Sequence, residues 1–203
     1  MLALLLLQAV VSQTAVDAEL AFNRTAQEKG QWTAFRAFAA EDATMFVPEP
    51  VKAQKWLKDR EDPPKSVEWW PTESYVSCDG KLAVNTGGWQ RPDGSVGYFT
   101  TVWQREADGR WKWIVDGGDR LTLPRSRPAE PKLVRAACTP PLDARVQVPS
   151  MDIVKAGVAK SSDGSLEWFW GTTADFSRTF TASLWDGKRY KAVISDRIAA
   201  PAK

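Results

Sequence analysis

Apolar residues recur at helical spacing through roughly the first 60 positions and alternate with polar ones from residue 66 onward. Residues 17–29 (DAELAFNRTAQEK) predict a helix, with Asp17 as N-cap and Gly30 as its stop. Ala18, Phe22 and Ala26 make one stripe of it, while Val16 and Leu20 lie on nearly the opposite side. Residues 31–40 predict a second short helix, with Trp32, Phe35, Phe38 and Ala39 on one side. Thr44 to Val47 predicts a strand ended by Pro48, and Pro50 suits the first turn of a third helix through Lys58. The acidic, Pro-containing segment 59–65 is a loop.

Beyond residue 66, Asp-Gly pairs stand at 79–80, 93–94, 108–109, 163–164 and 186–187, each between runs rich in aromatic and β-branched residues. Asp-Gly supplies the positive φ of tight hairpin turns, so the pattern predicts two antiparallel meanders. The first has strands near 67–78, 81–91, 96–106 and 110–116, and the second near 151–160, 165–173, 177–186 and 189–196. Residues 121–150 are rich in proline and arginine without periodicity, which marks a linker or wrapping arm. The expected organisation is therefore α+β: a domain over 16–120, the arm over 121–150, and a small β meander over 151–203.

Composition narrows the chemistry. The chain has 203 residues and a net charge of +2, a balance that gives no footprint for nucleic acid. It has no histidine, which excludes Ser-His-Asp and Cys-His nucleophile systems and any His-ligated zinc. Two cysteines cannot build a four-cysteine zinc site. Gly87-Gly88 and Gly117-Gly118 match neither a dinucleotide fingerprint nor a phosphate-binding loop, and no cofactor is expected. Asp59, Glu61 and Asp62 lack the spacing of a calcium loop and read as solvated.

Met1 to Val11 reads MLALLLLQAVV, too short for a membrane span of roughly 20 residues but suited to the apolar region of a signal peptide. Small residues follow at Ser12 and Ala15, so residues 1–15 are expected to direct export to the periplasm or the outside. A buried N-terminal helix is the alternative. In an oxidising compartment Cys78 and Cys138 are a natural disulfide pair. The sequon Asn23-Arg24-Thr25 falls inside the first predicted helix, where a chance match is the simpler explanation.

Several segments together resemble the nuclear transport factor 2-like superfamily over about residues 17–119. They are Ala34-Phe35-Arg36-Ala37-Phe38-Ala39 followed by Asp42-Ala43-Thr44-Met45-Phe46, then Gly97 to Gln104, then Asp108-Gly109-Arg110-Trp111-Lys112-Trp113. The last is similar to the closing hairpin of the SnoaL-like branch of this superfamily, whose members also include ketosteroid isomerase-like enzymes. The resemblance implies a cone-shaped fold: three N-terminal helices against a strongly bent antiparallel sheet, with a pocket on the concave face. It also implies dimerisation through the open sheet face, and either ligand binding or isomerase, cyclase or dehydratase chemistry. Relatives with this ending often carry histidine on the last strand, where this chain has Trp113, Ile114, Val115 and Gly117.

Asp116 is the sharpest polar candidate, at the end of an apolar strand. Alternation places it with Ile114 and opposite Trp111, Trp113 and Val115. Against apolar walls its carboxylate would act as a general base, with Tyr98 or a tryptophan N–H as donor. The plainer reading is a turn aspartate before two glycines. Eight of the eleven tryptophans fall within residues 1–120, more than one small core needs. Trp69, Trp89, Phe99, Trp103 and Trp113 are therefore candidates for an aromatic-lined pocket that holds a small apolar molecule, with core packing as the alternative for each ring. The absence of histidine and the sparse carboxylates favour a non-catalytic binding module, with an enzyme using Asp116 and a structural or dimerising domain as the alternatives.

Overall fold

The computed structural model describes residues 14–139 and 152–201. The expected signal segment lies outside these residues, except for its last two. Helix α1 (Ala15–Lys29) opens on a capping box: Asp17 N–H donates to the Thr14 hydroxyl at 3.1 Å, and Thr14 N–H donates to the Asp17 carboxylate at 2.9 Å. Thr14 is thus the N-cap in place of Asp17, which serves as its reciprocal partner. Gly30 ends α1 at φ 108°, and α2 (Gln31–Phe38) follows at once. Asp62 caps α2 from a distant loop, accepting from Thr33 N–H at 3.0 Å and its hydroxyl at 2.6 Å. Burial alone would raise the Asp62 pKa, but these Thr33 bonds outweigh it and hold the carboxyl below the ordinary range. Asp62 is therefore an intramolecular cap, not a solvated charge.

Strand β1 (Ala39–Phe46) starts directly after α2, earlier than its composition suggests. The third helix is shorter than expected. Pro50–Lys52 forms strand β2 against Thr44 to Phe46, leaving α3 only Ala53–Leu57. Four long strands follow: β3 (Glu68–Val76), β4 (Leu82–Gln90), β5 (Val96–Arg105) and β6 (Trp111–Leu121). Strand β7 (Lys132–Arg135), from the proline-rich arm, adds in parallel to the β3 edge. The resulting seven-stranded sheet has the order β2-β1-β6-β5-β4-β3-β7, with β1 parallel to β6.

The helices fill one face of this sheet. Phe22, Leu57, Trp69, Phe99, Trp103, Trp111 and Trp113 share a core with the alanines of α1 and α2. The other face is covered by a second sheet of order β11-β10-β9-β8: β8 (Lys155–Lys160), β9 (Leu166–Thr172), β10 (Arg178–Trp185) and β11 (Tyr190–Ile198). Tyr75, Leu82, Val84, Val102 and Val115 meet Leu166, Trp168, Trp170, Phe180 and Leu184 in this second core. The face expected to bury against another copy of the chain is thus taken by the chain's own last strands.

Two near-identical turns join the sheets. Ser77-Cys78-Asp79-Gly80-Lys81-Leu82 links β3 to β4, and Ser161-Ser162-Asp163-Gly164-Ser165-Leu166 links β8 to β9. In each, the first serine hydroxyl accepts from the leucine N–H, and the glycine has positive φ. The turns also bond to each other. Asp79 N–H donates to Asp163 at 2.7 Å, Cys78 N–H donates to the Ser165 hydroxyl at 2.8 Å, and the Ser162 hydroxyl donates to Asp79. Cys78 is disulfide-bonded to Cys138, which ties the arm to the same place.

Candidate functional site

A polar row crosses the helix-covered face of the large sheet. Ser74 of β3 pairs with Asn85 of β4, Asn85 with Thr101 of β5, and Thr101 with Asp116 of β6. Ser74, Asn85 and Thr101 are fully buried, and Asp116 is partly buried. The Thr101 hydroxyl donates to Asp116 at 2.7 Å.

Glu19 of α1 faces this row and has no exposed surface. It accepts from the Trp69 indole at 2.9 Å, the Trp103 indole at 2.6 Å and the Asn85 amide at 3.2 Å. Asn85 also donates to the Ala15 carbonyl at 3.0 Å, so the amide ties the start of α1 to the sheet. Burial is the largest influence on Glu19. With the nearby Asp116 carboxylate it overcomes the three donors and raises the pKa to about 7. Burial likewise raises Asp116 to about 6, against the opposing pull of the Thr101 bond and the Arg178 guanidinium. Two carboxylates with raised pKa on one face are a functional-site signal. Three buried polar atoms on this face, Ser74 Oγ, Asn85 Oδ1 and Trp113 Nε1, have no hydrogen-bond partner among the described residues.

The orientation of Asp116 differs from simple alternation. Val102 pairs with Val115 but Trp103 pairs with Trp113, so Ile114 is an extra residue in the ladder. The bulge puts Trp111 and Trp113 on the helix side and Val115 on the other. Asp116 consequently shares a face with the two tryptophans, and Ile114 packs in the opposite core.

Tyr98 is not part of this site. It lies on the far face of β5, in the layer between the sheets, with the Arg125 guanidinium 4.8 Å over its ring. Burial and the nearby Asp196 and Asp119 carboxylates push its hydroxyl well above the usual tyrosine range. It lies on the opposite face of the sheet from Asp116, so it cannot serve as the donor proposed from sequence.

Trp69, Phe99, Trp103 and Trp113 do come together on the Asp116 face, with Trp89 half-buried beside them. The rings contact the helices closely: Phe22 lies 4.7 Å from Trp69 and 6.0 Å from Trp103, and Phe35 lies 6.0 Å from Trp113. Glu19 is the residue that pattern reading missed. It stands four residues after Ala15 and three before Phe22, inside the apolar stripe of α1, and a charge in that position was its visible signal.

Elsewhere, an open groove of about 590 Å³ runs between the end of α1, the loop at Pro63 to Ser66 and the β4–β5 hairpin, lined by Gln27, Lys65, Glu68, Gln90 and Arg91. Among the described residues, no three Asp, Glu or Cys side chains converge as metal ligands, and no helix is long and apolar enough to cross a membrane.

No family model and no curated protein matches the chain. Solved structures do. One is described as a candidate ketosteroid isomerase from Parabacteroides distasonis, at 15% identity and TM-score 0.43, covering 54% of this chain and 90% of that one. Another, described in the same words and from Shewanella frigidimarina, has 18% identity and TM-score 0.40, covering 53% of this chain and 97% of that one.

Proposed function

We propose that the helix-covered face acts on a small apolar molecule by proton transfer, with Asp116 as the general base and Glu19 as a second, buried acid. The observation that carries this reading is the placement of Asp116, held by Thr101, and the fully buried Glu19, held by three donors, on the same apolar face, where burial raises both carboxyls, to about 6 and about 7. A base whose pKa lies close to neutrality is well matched to a weak carbon acid beside a carbonyl. Thr101 fixes the carboxylate, and the Trp69, Trp103 and Asn85 donors hold Glu19 toward the row.

The test follows deuterium entering the position next to the carbonyl of small ketones, by NMR in heavy water. The expected rate rises with pH through about 6, as Asp116 loses its proton. Asp116→Asn is expected to lower it about 100-fold or more. An unchanged rate in that variant would sink the proposal.

A second reading rests on the closely packed rings at Trp69, Trp103 and Trp113. It makes the chain a non-catalytic module that admits a ligand only beside Asp116. It predicts shifts in the Asp116 and Phe99 resonances on adding ligand, without exchange. Export completes the proposal: the apolar opening of the sequence and the Cys78–Cys138 disulfide both support it. The capping role of Thr14 then favours a mature chain that keeps Thr14.

A further inference from the structure

Arg178, on the second sheet, is an unusual buried cation. Only 7% of its surface is exposed, and no carboxylate lies within 4.0 Å of it among the described residues. Its hydrogen bond goes to the Gly118 carbonyl at 3.1 Å, and its guanidinium lies 4.0 Å over the Phe46 ring. A buried charge is normally paired, so one left without a direct counter-ion invites a functional account.

Its position supplies one. Gly117 follows Asp116 on β6 and turns toward the second sheet, where a Cβ would stand 3.1 Å from Phe46 and 3.5 Å from Arg178 Nη2. The missing side chain lets the guanidinium approach the backbone directly behind Asp116, with one strand between the charge and the carboxylate. We propose that Arg178 is a positioning residue for Asp116: it holds the Gly117-Gly118 strand end and supplies a positive field that favours the ionised carboxylate. The appended second sheet would thereby act on a site that it does not itself line. This inference rests on the reading of Asp116 as the working base.

The charged and polar groups around the pair come from α1, β5, β6, β10 and β11. Asp116 meets Glu19 from α1, the Thr101 hydroxyl from β5 and Arg178 from β10. Arg178 in turn is flanked by Tyr98 of β5, Asp119 of β6 and Asp196 of β11, whose carboxylate accepts from Thr100 at 2.7 Å. Arg178 is nevertheless the charged group that opposes the effect of burial on Asp116.

The experiment reads Asp116 directly, by carboxyl-carbon NMR titration of the full-length protein, with the signal assigned by its loss in Asp116→Asn. Arg178→Met and Arg178→Gln remove the charge, and each is expected to raise the Asp116 titration midpoint by about one pH unit. Arg178→Lys keeps the charge in the same layer and is expected to leave the midpoint near the wild-type value. An unmoved midpoint in a folded Met or Gln variant would overturn the proposal. So would a Lys variant that shifts as far as the neutral ones, since the field would then not be the cause. If both neutral variants fail to fold, Arg178→Thr and Arg178→Ala are titrated in their place, with the same rise expected and an unmoved midpoint again overturning the proposal. The readout does not depend on turnover: absence of proton exchange in wild type would refute the acid–base reading and leave the Asp116 midpoints to judge Arg178 separately.

Discussion

Glu19 carries the largest electrostatic consequence of any single residue here. Its folded pKa of about 7 stands above the ordinary 4.5, so the folded chain binds that proton more tightly than the unfolded one. The associated stability is complete below about pH 4.5 and is lost as pH rises through about 7. The full swing is on the order of 3 kcal/mol. Glu19→Gln removes the titration, so urea midpoints of this variant are expected to fall less than those of wild type between pH 5 and 8. Glu19→Ala instead strands two indole N–H groups and an amide, with an expected cost of about 3 kcal/mol. Of the residues that make the site, Asp116 was legible as a carboxylate ending an apolar strand, and Trp69, Trp103 and Trp113 as large rings on strands. The face that Asp116 occupies was not, because a single bulge residue, Ile114, reverses parity and leaves no mark in the sequence. Tyr98 failed as a donor for a related reason: alternation shows that Tyr98 and Phe99 diverge, but not which of them turns toward the helices.

At the scale of elements, the junction of α1 and α2 depends on one long-range cap. Gly30 has positive φ, and a Cβ there would stand 2.3 Å from the Asp62 carboxyl carbon. Gly30→Ala is therefore expected to cost about 2 kcal/mol or more, combining left-handed strain with a displaced cap. Asp62→Ala, which leaves Gly30 in place, is expected to cost about 1 kcal/mol. Thermal melts of both variants check the order. The hairpins were the most legible elements, because Asp-Gly fixes a turn locally: all five of these glycines have φ between 67° and 97°. The end of α2, the start of β1 and the strand Pro50–Lys52 were not legible. They depend on pairing with β6 and with each other, which is a property of distant residues and not of local pattern.

At the scale of the whole molecule, the two cores share one sheet, and the turns at Asp79 and Asp163 hold the layers in register. The disulfide closes a sequence separation of 60 residues. Its loss in the double variant Cys78→Ser, Cys138→Ser is expected to cost about 4 kcal/mol, measured by denaturant unfolding. With the outer sheet face already covered, sedimentation is expected to show a monomer; a dimer would have to use some other surface. Covering that face with the chain's own last strands also imposes an order of assembly. Val84, Val102 and Val115 are left without their covering layer until residues 166–194 exist, so a chain stopped after β6 would present an apolar sheet face to its surroundings. The covering layer is made after the sheet it covers, so the apolar face stays bare until residues 166–194 have been synthesised.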